Sequence, residues 1–285
     1  MAQLGTVLRR AGLWHRPPPP WPAGRVVLAD PPGAAPWRRA LAATGDPAAA
    51  DALAQAWDRL TDRQRAAVLD PAGELGRDGR QVTGLTCGAA VLTMLAALGD
   101  PLLALWLASG RLVADERPPE LAGAPTAVLD RLGRVPAAAR FATLHRVVHR
   151  RARIGAVAGL PWPRSLGTPP WALARSARYL GVRFGHTVLD DTAPAALETV
   201  LVRVGAALDA GIPVPLYTGG DTSRGWATAV PRHVVLALAA RDDGLDVWEP
   251  GRGAVVHVDA RALREGGRHP AFGGWAHLAW AVLPR

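Results

Sequence analysis

From Cys87 to Gly110 the chain reads CGAAVLTMLAALGDPLLALWLASG, with hardly a polar residue in it. A helix that is apolar on all sides has to be buried on all sides, so this stretch belongs inside whatever the chain folds into. Asp100 and Pro101 interrupt it. A proline within a helix removes a backbone hydrogen bond and clashes with the preceding turn, and it pushes the residue before it out of the helical region. The stretch therefore predicts two short buried helices, over 87–98 and 102–110. It does not predict a membrane span, which needs about 20 uninterrupted apolar residues. The chain has 285 residues, 49% of them apolar, enough to bury such a pair within one large domain or two small ones.

On either side the chain changes character. The first 45 residues are rich in proline and glycine, and RPPPPWPAG and ADPPGAAP read as an irregular, extended arm. Asp46, followed by Pro47 at a first helical position, starts a helix expected over 47–69 that ends near Pro71. Residues 1–75 form this N-terminal arm and helical extension, and residues 76–285 form the main domain. Further helices are expected over 125–133, 137–153 and 170–180, the last with Thr168 as its cap. Beyond residue 180, short β-rich runs lie at 182–188, 212–218, 233–240, 245–250, 253–259 and 276–283, with one helix over 194–210. DDG and PGRG mark turns between them. Helices first and a mostly antiparallel sheet later give an α+β domain.

Several functions are disfavoured by composition. All 33 basic residues are arginine, so a phosphate-binding loop has no lysine to use. The formal charge of +9 would suit an acidic partner, but the arginines are scattered. The densest group, RVVHRRAR, places Arg146, Arg150 and Arg153 on one helix face, read as a solvated stripe and not as a nucleic-acid site. His145 and His149 stand four apart, but no glutamate follows His145 and no third ligand is evident, so neither metal nor cofactor is expected. One cysteine rules out an intramolecular disulfide framework, and no signal-peptide core precedes HRPPPPWP, so the expected compartment is the cytoplasm.

That cysteine, Cys87, opens the apolar stretch behind QVTGLT. A cysteine here can be a small packing residue. A helix N-terminus also favours a thiolate, and Thr86 is positioned to cap the helix with Gly88 and Ala89 leaving room around the sulfur. Gln81, six residues upstream, can fold its amide back toward an oxyanion near that sulfur. His233 opens the apolar strand HVVLALAA and can act as base and as imidazolium partner. The hairpin at RDDG returns Glu249 toward His233, where a carboxylate orients the ring. Trp226 and Trp248 lie close to this set in sequence and are candidates to line a substrate groove, with core packing as the alternative.

The ordered set of Gln81-x5-Cys87-Gly88, a strand opening on His233, and Glu249-Pro250 resembles the papain-like cysteine peptidases. More narrowly, it resembles the peptidases that process bacteriocin leaders at double-glycine sites, and their stand-alone relatives. GTPPWALARSARYLGV and ALDAGIPVPLY are similar to that family's middle region and to its strand before the histidine loop, so the likeness runs over 78–260. Two positions depart from the pattern: Glu249 stands where the family has Asp, and Thr86 where it has an acidic residue. The resemblance implies a papain-like α+β fold, with the nucleophile on a central helix packed against the sheet. It also implies a cysteine peptidase cutting a peptide or amide bond in a peptide or protein substrate, with a separate exporter as a compatible partner. Two alternatives stay open: a catalytically silent peptide-binding module, and a thiol acyltransferase or deamidase using the same residues.

Overall fold

A computed structural model describes residues 6, 7, 10–12, 34–156, 160–221 and 231–285. Proline and capping side chains set the first helices. α1 (Pro36–Thr44), α2 (Pro47–Trp57), α3 (Asp62–Leu69) and α4 (Pro71–Glu74) follow in order, and all but α3 begin on proline, whose missing N–H is harmless in a first turn. Asp46 caps α2 through the amides of Ala48 and Ala49. The single helix expected over 47–69 is thus two. Thr61 and Gln64 satisfy each other's backbone amides in a capping box, which restarts the chain as α3. Ala49, Leu53 and Val68 belong to the same core as the apolar stretch, so the core is continuous across the boundary expected at residue 75.

The apolar stretch forms α5 (Cys87–Gly99) and α6 (Pro101–Ser109), bent by 115° at Asp100. Every residue of α5 except Leu98 is buried. No single helix among the described residues is long and apolar enough to cross a membrane; α5 and α6 are apolar because they lie in the core. Asp100 caps α6 through the amides of Leu102 and Leu103 and pairs with Arg178 at 3.0 Å. α7 (Thr126–Gly133) and α8 (Ala137–Arg153) follow, and the buried Arg140 of α8 donates to the carbonyls of Leu107 and Ala108 at the end of α6. α9 (Pro170–Ser176) is shorter than expected. Ala177 turns into an extended conformation, and beyond it Arg178 reaches both Asp100 and Glu120, a pairing that replaces the last turn of helix.

The second half builds one sheet from β1 (Phe184–Val188), β2 (Val214–Gly219), β3 (His233–Arg241), β4 (Gly244–Glu249), β5 (Ala254–Asp259) and β6 (His277–Pro284). α10 (Pro194–Asp209) lies between β1 and β2, and α11 (Ala260–Glu265) between β5 and β6. The order across the sheet is β1-β6-β2-β3-β4-β5, and every neighbouring pair is antiparallel. The chain is therefore α+β, as the order of its patterns implied. Gly244 has to be glycine, because a Cβ there would stand 2.1 Å from the Val258 carbonyl oxygen. β2 is buried along its whole length and β3 over its first five residues, which is how strands covered on both faces read. α5 packs against β3, so the helix that starts with Cys87 lies on the strand that starts with His233.

Candidate active site

Cys87 is the first residue of α5 and is 4% exposed. Thr86 occupies the N-cap position but makes no cap bond. Its hydroxyl turns back on its own loop, donating to the Thr83 carbonyl at 3.0 Å and accepting from the Thr83 amide at 3.3 Å. The cap expected of Thr86 is therefore absent, and the first-turn amides beside the sulfur have no capping side chain. Amides in that position are suited to negative charge. Gly88 lets the next segment close on the helix, since a Cβ there would meet Cβ of Thr168 at 2.9 Å. Thr168 does not cap α9 as expected. Pro169 takes the N-cap position, while the Thr168 carbonyl accepts from the Tyr217 hydroxyl at 2.7 Å.

His233 is the first residue of β3, paired across the sheet with Thr218 of β2. Its Nε2 donates to Oε1 of Glu249 at 2.6 Å, and both residues are buried. The β3–β4 hairpin pairs Leu236 with Trp248, which returns Glu249 toward the start of β3. Glu249 is held in turn by two backbone donors, the amides of Gly251 at 2.8 Å and Arg252 at 2.7 Å. A Cβ on Gly251 would stand 3.0 Å from Oε1, so glycine leaves the carboxylate its room. Cys87 lies close enough to His233 to act on its ring electrostatically. With Nε2 committed to Glu249, the nitrogen left for the sulfur is Nδ1.

The electrostatics follow from these contacts. Burial alone would push the His233 pKa down. The interactions with Cys87 and with the Glu249 carboxylate outweigh it, and the pKa is raised to about 9. Burial pushes the other way on Glu249, but the bond from His233 and the two amides hold its carboxyl below the usual range. Tyr217, fully buried near the sulfur, has its hydroxyl pushed well up by burial first and then by Cys87, so it stays neutral. The buried His233 ring, cationic below its raised pKa, is matched by the Glu249 carboxylate.

Gln81 is stitched to the far side of the same turn. Its backbone N–H donates to the Pro250 carbonyl at 2.8 Å, and Nε of the neighbouring Arg80 donates to the Gly251 carbonyl at 2.9 Å. Its Oε1 is buried and has no hydrogen-bond partner among the described residues. The structure thus bonds His233 to Glu249, sets Cys87 beside them, and runs Gln81 along the turn that holds Glu249.

The tryptophans behave otherwise. Trp248 is 0% exposed and meets Phe141 edge-on, with ring centroids 6.5 Å apart, so it is a core residue and lines no groove. β4 is covered on both faces, and alternation along it gives no accessible side for the indole. Trp226 lies outside the described residues. His145 is fully buried, bonds the Phe141 carbonyl through Nδ1 at 3.0 Å, and is lowered to about 4 by burial, so it is a neutral core histidine. No group of three or more metal-ligating side chains occurs among the described residues.

Sequence reasoning missed Tyr217 and the Gly251 and Arg252 amides. Tyr217 sits in the apolar run IPVPLYT, where nothing distinguishes a site neighbour from a core residue. PGRG was legible as a turn, though its role in holding a carboxylate was not. Comparison with protein-family models, with curated proteins and with solved structures gave no match.

Proposed function

We propose that the chain is a thiol-dependent hydrolase of papain-like type, cutting a peptide or amide bond through Cys87, His233 and Glu249. One observation carries this reading: a thiol at a helix N-terminus stands beside a buried histidine that bonds a carboxylate fixed by two amides. Packing alone does not require a buried imidazole to stand between groups of these two kinds. Nucleophilic catalysis does.

In the reaction, the Cys87 thiolate forms a C–S bond to the carbonyl carbon, and the carbonyl π electrons move to oxygen. The first-turn amides of α5 and the Gln81 side chain would receive that oxyanion. As the intermediate collapses, the C–N bond breaks and His233 gives its proton to the departing nitrogen. Water then attacks the thioester, neutral His233 takes the water's proton, and the C–S bond breaks to restore the thiolate–imidazolium pair. Glu249 keeps the ring oriented and stabilises its cation throughout. The longer carboxylate of Glu249 serves where aspartate is usual in the resembling family, because the PGRG turn curls beneath it. The substrate is a peptide or protein, and a reducing cytoplasm suits an enzyme that depends on one reduced thiol. A separate exporter fits as a partner under the same reading.

The test is acyl-enzyme formation with an activated acyl ester, followed by intact mass. Wild type should gain one hydroxylamine-labile acyl group on Cys87 and lose it to water over time. His233→Ala should deacylate far more slowly. An acyl group that forms but persists equally in both proteins would favour a binding module, and transfer to an added amine in preference to water would favour an acyltransferase.

A further inference from the structure

The segment GRHPAFGGW, which joins α11 to β6, lies over the end of the sheet where His233 sits. Ala271 and Phe272 are buried, anchoring it in the core. The Phe272 carbonyl accepts from the buried Thr218 hydroxyl at 3.0 Å, and Thr218 is the residue paired with His233 across β2 and β3. The turn is closed by its own backbone, Gly273 N–H to the Pro270 carbonyl at 3.1 Å and Gly274 N–H to the His269 carbonyl at 3.0 Å. Both glycines adopt left-handed conformations, with φ of +64° at Gly273 and +81° at Gly274. Their surroundings differ. A Cβ on Gly273 would stand 2.5 Å from Cδ2 of His233, 2.8 Å from Nε2 and 3.2 Å from Cγ, whereas a Cβ on Gly274 would meet nothing within 4 Å.

We infer that Gly273 is a positioning residue for His233: its bare Cα forms the floor on which the imidazole lies, so that the ring can bond Glu249 on one side and Cys87 on the other. The contact falls on Cδ2 and on the adjoining Nε2, the nitrogen that donates to Glu249. A side chain at 273 cannot share that space, and either the ring or the turn has to yield. The turn is held by Thr218, by its internal bonds and by two buried apolar residues. The ring is therefore what moves, and movement lengthens the bond to Glu249 and takes Nδ1 off the sulfur. Displacements of about 1 Å in such a group are enough to cost 10²-fold in rate. The inference rests on the proposed role of His233, but the ring's position can be read without any activity.

The experiment compares wild type, Gly273→Ala and Gly274→Ala, following the His233 ring by NMR titration and Cys87 by iodoacetamide labelling at pH 6. Gly274→Ala imposes comparable left-handed strain without touching the ring, and it should titrate and label as wild type. Gly273→Ala should bring the His233 midpoint down toward that of an ordinary histidine and slow labelling by about tenfold or more. Should Gly273→Ala fail to fold, Thr218→Val loosens the same turn without adding bulk and should shift His233 in the same direction by less. An unchanged His233 midpoint in a folded Gly273→Ala, or equal shifts in both alanine variants, would overturn the inference. Labelling of the wild type that ignores His233 would instead overturn the hydrolase reading, and the NMR comparison would still report on Gly273.

Discussion

His233 carries more of the site than its position at the head of a strand suggests, because each of its bonds changes what the ring can do. Its pKa is raised to about 9 from an ordinary 6.5, so its contribution to stability is fully present below pH 6.5 and is lost as the pH rises through about 9. Glu249 has the opposite sign. Its pKa is depressed below 4.5, so its contribution is present above that value and is lost as the pH falls. NMR titration of the ring should give a midpoint near 9 in the wild type and a lower one in Glu249→Gln, where the anionic acceptor is gone. Urea unfolding should show wild-type stability falling between pH 6.5 and 9, and the fall should be smaller in Glu249→Gln. A midpoint near 6.5 in wild type would mean that Cys87 and Glu249 do not engage the ring together. Turnover should drop by about 10²-fold in Glu249→Gln through loss of ring orientation, with little change in KM, and an unchanged rate would give the orienting role to another group.

At the scale of elements, what was legible followed local rules. α5 through α8 and all six strands lie within a few residues of where periodicity, proline and turn residues place them. The misses have physical reasons. Asp58–Leu60 look helical by composition, but Thr61-Asp62-Arg63-Gln64 offers a capping box that starts a new helix, and the box prevails. Thr61→Ala should destabilise the protein by about 1 kcal/mol, readable as a shift in urea midpoint with unchanged slope. A change within error would mean that α3 is held by packing alone. Thr86 and Thr168 failed as caps because each finds another arrangement: Thr86 bonds Thr83, and Thr168 packs against Gly88. The pairing of His233 with Glu249, and Cys87 as a helix start, were legible because each sits at an element terminus, where the sequence signals are strongest. Trp248 and Gly273 were not, because burial from a second layer and contact from a distant turn leave no local trace.

In the whole molecule, the candidate site lies where the helical half meets the sheet: Cys87 comes from one, His233 and Glu249 from the other. The helical half is itself tied together by a buried charge group. Arg178, following α9, pairs with Asp100 at the α5–α6 bend at 3.0 Å and with Glu120 at 2.6 Å. Asp100 is wholly buried, so removing its cation strands a charge. Arg178→Ala should cost about 3–5 kcal/mol, and adding Asp100→Asn, which keeps a capping oxygen, should restore part of it. A cost near zero for Arg178→Ala would show that the group does not bear on stability. The most direct test of the central claim is the pH dependence of Cys87 alkylation, read by intact mass because the chain has one cysteine. If His233 holds its proton beside the sulfur, iodoacetamide should modify Cys87 rapidly at pH 6, and His233→Ala should slow this sharply. Labelling of wild type at pH 6 no faster than that of free cysteine, and indifferent to His233, would contradict it.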